Sequence, residues 1–114
     1  MHEMKLQSQY YNYILNGTKR IEIRLYDQKR QKIQLGDKIR FYKEPRKEEY
    51  FDTKVIGLLR YNTFEELLKD HDITLLADNS LTKEDLLKVL EEFYSKEEQA
   101  KYGILGIRIE LLNK

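Results

Sequence analysis

Gly17-Thr18-Lys19-Arg20-Ile21-Glu22-Ile23-Arg24 places a turn glycine ahead of two isoleucines that alternate with charged residues. Read as a strand from Arg20, this run sends successive side chains to opposite faces. Ile21 and Ile23 then point into a core, and Arg20, Glu22 and Arg24 line the other face. Lys19 sits at the turn into the strand, where its long side chain reaches the same face. Fixed charges clustered at a strand entrance suit recognition of a polar or anionic ligand. On an outward face, truncating Lys19 or Glu22 opens no core cavity. Their alanine variants are therefore expected to stay within about 0.5 kcal/mol of the parent stability while weakening ligand binding or turnover.

Upstream of this run, residues 2–6 alternate and read as a first strand. Ser8 reads as the N-cap of a helix carrying Tyr10, Tyr11, Tyr13 and Ile14. Asn16-Gly17 ends that helix, because glycine takes the left-handed position cheaply. Aromatic residues at helical spacing read as packing rather than as a stacking platform. Downstream, 27–34 is a polar loop, and Gly36-Asp37 turns the chain into a strand over 38–42. The charged segment 43–49 holds the only proline, Pro45, and reads as an exposed loop. Residues 51–61 form a long strand with Gly57 as a bulge. Thr63 caps a short helix over 64–69. Residues 70–79 form a connector with Leu75 and Leu76 tucked inward, and His71 solvated between Asp70 and Asp72. An amphipathic helix runs to Tyr94, with Leu86, Val89, Leu90 and Phe93 as its core face. Ser95-Lys96-Glu97-Glu98 is a capping box, and 102–112 is the last strand.

Strands outnumber helices, and the helices interrupt the strand order too irregularly for repeated βαβ units. The pattern predicts an α+β fold, a small mixed β-barrel flanked by helices, as a single domain over residues 1–114.

The chain has 114 residues, 36% of them charged and 40% hydrophobic, which suffices for one core. It has no cysteine, which excludes disulfides and thiolate zinc sites. Its two histidines, His2 and His71, lie far apart, so no metal site and no cofactor are expected. No apolar run approaches a membrane span, and the N-terminus lacks a signal-peptide pattern; a cytoplasmic soluble protein with no membrane partner is the expected class. The net charge of +1 hides an asymmetry. Residues 1–62 hold 14 Lys/Arg against 8 Asp/Glu, a net of +6, and residues 63–114 hold 7 against 12, a net of −5. A basic face from the first half attracts phosphates, whereas Glu-rich helices late in the chain serve solubility.

The pattern Gly17-x-Lys19-x-x-Glu22-x-Arg24 resembles the signature of the ASCH domain, a member of the PUA-like β-barrel superfamily. The likeness continues in Leu35-Gly36-Asp37-Lys38-Ile39-Arg40-Phe41, a glycine-aspartate turn and strand. It continues again in Tyr61–Leu68, a strand-to-helix step, and in Lys101–Ile107, a closing strand. The resemblance implies a PUA-like barrel with a cleft near the Gly-x-Lys loop that binds RNA or a nucleotide-like ligand. One branch of the family hydrolyses the amide of an acylated cytidine with a lysine, a threonine and a glutamate. The lysine falls on Lys19, the threonine position on Glu22, and the glutamate position near Asp78. This chain therefore departs from that branch.

The candidate ligand-binding residues are Lys19, Glu22, Arg24, Arg40 and Tyr102. In this set Lys19 is a phosphate-binding charge or a base, Glu22 an acceptor, and Arg24 a bidentate donor. Tyr102 can stack on a base beside Gly103. If the protein is an enzyme, a small hydrolase acting on a modified nucleoside or on RNA, Lys19 and Glu22 are the catalytic candidates. A protein-interaction module using the acidic helical face of 84–98 is a third reading. The oligomeric state is not legible in the sequence.

Overall fold

The structure is a computed structural model and describes residues 1–112. The elements follow the sequence pattern closely. In order they are β1 (His2–Leu6), α1 (Ser8–Leu15), β2 (Ile21–Leu25), a 3-10 turn (Arg30–Lys32), β3 (Lys38–Lys43) and β4 (Tyr50–Tyr61). There follow α2 (Phe64–Asp70), α3 (Ile73–Leu76), α4 (Lys83–Phe93), α5 (Lys96–Tyr102) and β5 (Ile104–Leu111). Thr63 caps α2 by accepting from Glu66 N, and both Thr82 and Ser95 form reciprocal capping boxes. Two details differ. Gln7, not Ser8, is the residue before the first helical turn, and it makes no side-chain cap. The connector after α2 also contains a helical turn, α3, capped by Asp72.

The five strands form one sheet in the order β1-β3-β4-β5-β2. β1 pairs parallel with β3, and every other pairing is antiparallel. The expected bulge in β4 falls between Val55 and Gly57. The sheet curls into a half-barrel, the expected small mixed barrel with flanking helices. Its two edges, β1 and β2, share no backbone ladder and leave a seam.

Two cores result. The concave side of the sheet holds Met4, Leu6, Phe41, Phe51, Leu105 and Ile107 with Tyr11 and Ile14 of α1. The other side packs Ile21, Ile23, Leu25 and Ile104 against α2, α3 and α4 through Phe64, Leu67, Leu76, Leu86 and Leu90. β2 is therefore covered on both faces. Among the described residues no helix is long and apolar enough to cross a membrane.

Gly103 joins α5 to β5 at φ +74°, ψ −176°, a region open essentially only to glycine. A side chain there would also lie 3.3 Å from the Tyr61 carbonyl oxygen. Gly103→Ala is expected to cost about 1–3 kcal/mol, read by urea unfolding. Gly17→Ala, at φ +89° with open space around it, is the milder comparison. A Gly103→Ala midpoint equal to the parent's would show that the α5–β5 turn relaxes freely.

Candidate functional site

Alternation along β2 separates Ile21, Ile23 and Leu25 from Glu22 and Arg24, as expected. The second face is not solvent, however. Glu22 pairs across the ladder with Ile107 and Arg24 with Leu105, both residues of the concave core. The charged face of β2 thus looks into the half-barrel at its seam. Lys19 is only 3% exposed and Glu22 5%. The expectation that both are outward-facing is corrected, because curling the sheet turns its charged face inward.

Lys19 is held from three sides. Its Nζ donates to Ile21 O at 2.6 Å and to Leu76 O at 2.8 Å, and lies 3.2 Å from Glu22 Oε1. Leu76 ends α3, so its carbonyl is one that the helix leaves unpaired. An ammonium there meets both that carbonyl and the negative end of the turn. A lysine has three N–H donors, and all three are engaged by protein.

Glu22 is shared between two cations. Arg24 Nε donates to Glu22 Oε2 at 2.8 Å, and Arg24 Nη2 lies 2.8 Å from the same oxygen. Nη2 also donates to Lys5 O at 2.8 Å. Lys5 belongs to β1 and Arg24 to β2, so the guanidinium ties together the two edges that the backbone leaves apart. Among the described residues the other amino group, Nη1, makes no hydrogen bond to protein.

Burial pushes the Lys19 ammonium down from its ordinary value, and Glu22 restores only part of the loss. For Glu22, burial alone would raise the carboxyl. The charges of Arg24 and Lys19, with their hydrogen bonds, outweigh it and hold the carboxyl below its usual range. Burial likewise works against Arg24, and Glu22 more than compensates, so its guanidinium stays charged. The arrangement is a buried cation–anion–cation row.

Above this row lies a cavity of about 170 Å³. Lys19, Glu22 and Arg24 line its polar side; Tyr10, Leu86, Val89, Leu90, Phe93 and Tyr94 form the apolar wall. Phe93, expected in the core, is 59% exposed. Leu86 and Leu90 carry the buried face of α4, and its last turn, with Phe93, lines the cavity. Helical spacing alone does not distinguish a residue over the core from one over a cleft beside it. Tyr10 lies 5.9 Å from Lys19 Nζ and joins the cavity wall while also packing on both cores.

Two sequence candidates lie elsewhere. Arg40 forms a two-bonded pair with Asp52 (2.8 and 3.0 Å), stacks 4.1 Å from the Tyr50 ring and does not line the cavity. Tyr102 ends α5 and borders a separate surface depression with Arg60 and Asn62. Arg40 thus stands apart from Lys19 and Arg24. Its register opposite Asp52 gives it a local partner. Asp78, the residue nearest the glutamate position, accepts from Ser80 N and lies outside the cavity lining. His71 is half-buried, not solvated, with Nε2 3.1 Å from the Tyr61 hydroxyl.

Fold and site together define a half-barrel whose open seam is bridged by charged side chains from the Gly-x-Lys-x-x-Glu-x-Arg run. The ASCH domain profile matches residues 4–113, and the chain belongs to the ASCH domain family. It is similar to the crystal structure of the hypothetical protein PH0355, at 38% identity and a TM-score of 0.85, over 96% of this chain and 97% of that one. It is also similar to the solution structure of protein PF0455 from Pyrococcus furiosus, at 31% identity and a TM-score of 0.76, over 99% and 98% of the two chains. ZmASCH from Zymomonas mobilis, solved as a serine-to-alanine variant, is 11% identical with a TM-score of 0.59, over 97% of this chain and 72% of that one, and shares the fold. No curated protein matches the chain.

Proposed function

We propose that this protein binds RNA or a nucleotide-like ligand, with a single base entering the seam cavity. One observation carries the reading: an exposed phenylalanine and a fixed guanidinium meet at one small cavity. Phe93 lines the cavity while 59% exposed, and a base stacked on it would cover its ring. Arg24 is immobilised through Glu22 and Lys5 and lines the cavity, and its Nη1 has no protein partner among the described residues. The cavity is smaller than the roughly 300–1,000 Å³ of pockets that enclose larger ligands, which favours one base over a bulky molecule.

The same geometry favours binding over hydrolysis. Lys19 has no N–H left for a substrate. Glu22 is held ionised between two cations, which makes it a weak base. Membership of the ASCH family supports the nucleic-acid reading.

The test is a fluorescence-anisotropy titration with labelled single-stranded RNA, with nucleoside monophosphates as competitors. Base–aromatic stacking contributes about 1–3 kcal/mol, so Phe93→Ala is expected to weaken binding roughly ten- to hundredfold. Its melting temperature should equal the parent's, because the ring is exposed. Wild-type protein that binds neither RNA nor mononucleotide would overturn the proposal. Unchanged affinity in Phe93→Ala would remove the base from this cavity.

A further inference from the structure

Arg24 also borders space outside the seam cavity. A second groove of about 390 Å³ begins there, lined by Glu3, Lys5, Arg24, Lys29, Arg30, Tyr42, Glu44 and Lys47. It shares Lys5, Arg24 and Glu44 with the cavity, so the two lie side by side at the bridging guanidinium. Its floor is the free edge of β1. One wall is the segment around the 3-10 turn, which supplies Lys29 and Arg30. The other comes from the end of β3 and the loop after it, which supply Tyr42 and Lys47.

Building on the function proposed above, we infer that this groove carries the phosphate backbone of a single-stranded RNA whose neighbouring base occupies the cavity. The physiological ligand is then an oligonucleotide rather than a free nucleotide.

The charges support this path. Arg24 and Arg30 have carboxylates of their own in Glu22 and Asp27. Among the described residues Lys5 and Lys29 have no carboxylate within ion-pair distance, and Lys47 has only a long pair with Glu3. Lys29 spends one N–H on the Glu3 carbonyl at 3.1 Å. Its ammonium is pushed down by burial and then by Arg30 and Arg24, so cations are crowded there beyond what the nearby carboxylates offset. Lys47 reaches Glu3 only at 3.7 Å and lies 5.0 Å from the Tyr42 ring. A phosphate would relieve this crowding, and Tyr42 offers a second aromatic face beside it. The alternative exit from the cavity runs over α4, whose last turns carry Glu91 and Glu92, both exposed. The groove carries Glu3 and Glu44 as well, but its five cations outnumber them, so a polyanion is drawn along it rather than over α4. The requirement for a single strand follows from the cavity, since a base within a duplex cannot enter it.

The experiment is a titration of fluorescein-labelled RNA of one, two, four and eight nucleotides, at about 50 to 200 mM salt. Affinity is expected to rise with length over the first few nucleotides. Each phosphate contact on a single strand contributes about 0.7 to the slope of log K against log salt. The double variant Lys29→Ala/Lys47→Ala should therefore lower that slope by about 1.4 for the octamer and weaken it roughly tenfold at low salt. Mononucleotide binding, which offers the groove a single phosphate, should weaken far less than octamer binding. Lys47→Glu alone, at an exposed position that adds no cavity, should weaken the octamer in the same direction. Lys54→Ala, on exposed β4 surface outside both sites, should have no effect. Affinity independent of length, a salt slope unmoved in the double variant, or competition by duplex as strong as by single strand would overturn the inference while leaving mononucleotide binding in place. Failure of every length, the mononucleotide included, would instead remove the reading on which it rests.

Discussion

Glu22→Ala is expected to lower the melting temperature by about 10–20 °C. The variant removes the only anion from a row of two buried cations. Lys19 would keep two carbonyl acceptors but lose its counter-charge while only 3% exposed. Removing one partner of a buried ion pair typically costs about 3–5 kcal/mol, and a domain of this size loses about 4 °C per kcal/mol. Glu22→Gln keeps the shape and one acceptor and should fall between the two. Protonation gives an independent signature. Because the folded carboxyl titrates below its unfolded value of 4.5, its contribution is full above that value and disappears as pH falls through the folded pKa. Stability of Glu22→Gln should therefore decline less steeply in acid than the parent's. Lys19 works in the other direction. Its folded pKa is lowered from 10.5, so the folded state gives up the proton first. Stability of Glu22→Ala should thus partly recover as pH rises from that lowered value toward 10.5. Calorimetry across pH reads both limbs. A fall of less than about 3 °C at neutral pH would mean that water hydrates Lys19 directly.

Arg24→Lys is expected to weaken RNA binding at least tenfold while keeping the charge. The guanidinium forms a planar fork that reaches Glu22 through Nε and Lys5 O through Nη2, which leaves Nη1 without a protein partner among the described residues at the cavity lining. An ammonium has no such plane. It can hold Glu22 or reach Lys5 O, but it cannot also aim a third donor. The loss of one charge-assisted hydrogen bond should cost about 1.5–3 kcal/mol of stability, visible in urea unfolding, since the seam loses its side-chain bridge. Binding is measured at a temperature where the variant remains folded, so the two effects separate. A lowered unfolding midpoint with unchanged RNA affinity would make Arg24 a clamp of the barrel and nothing more.

Much of this protein was legible before any coordinates. Capping boxes, the Asn16-Gly17 stop, the Gly57 bulge and the alternation of strands reflect local physics. Each depends on residues within a few positions of one another, and the sequence carries that information directly. The Gly-x-Lys-x-x-Glu-x-Arg run led to the right elements and to three residues that do meet. It did not reveal that they are buried. Alternation separates two faces of a strand, yet it is silent on whether the second face meets water or a second core. That depends on how far the sheet curls and on where β1 and β2 end up relative to each other.

The remaining misses have the same origin. Phe93 follows Leu86 and Leu90 at helical spacing and was expected beside them, but the core ends beneath the final turn and the ring projects over the cavity. Arg40 has the residue type for ligand binding, but strand pairing gives it Asp52. The Leu76 carbonyl, which holds Lys19, lies in a segment read as a connector. By itself, then, the sequence determined the elements, their ends and a charged strand entrance, because these follow from side-chain identity and short-range hydrogen bonding. Only the tertiary structure decided that Lys19 and Glu22 are interior, that Arg24 joins the two sheet edges, and that one cavity opens there. Those outcomes depend on desolvation and on contacts between residues far apart along the chain, which no local pattern encodes.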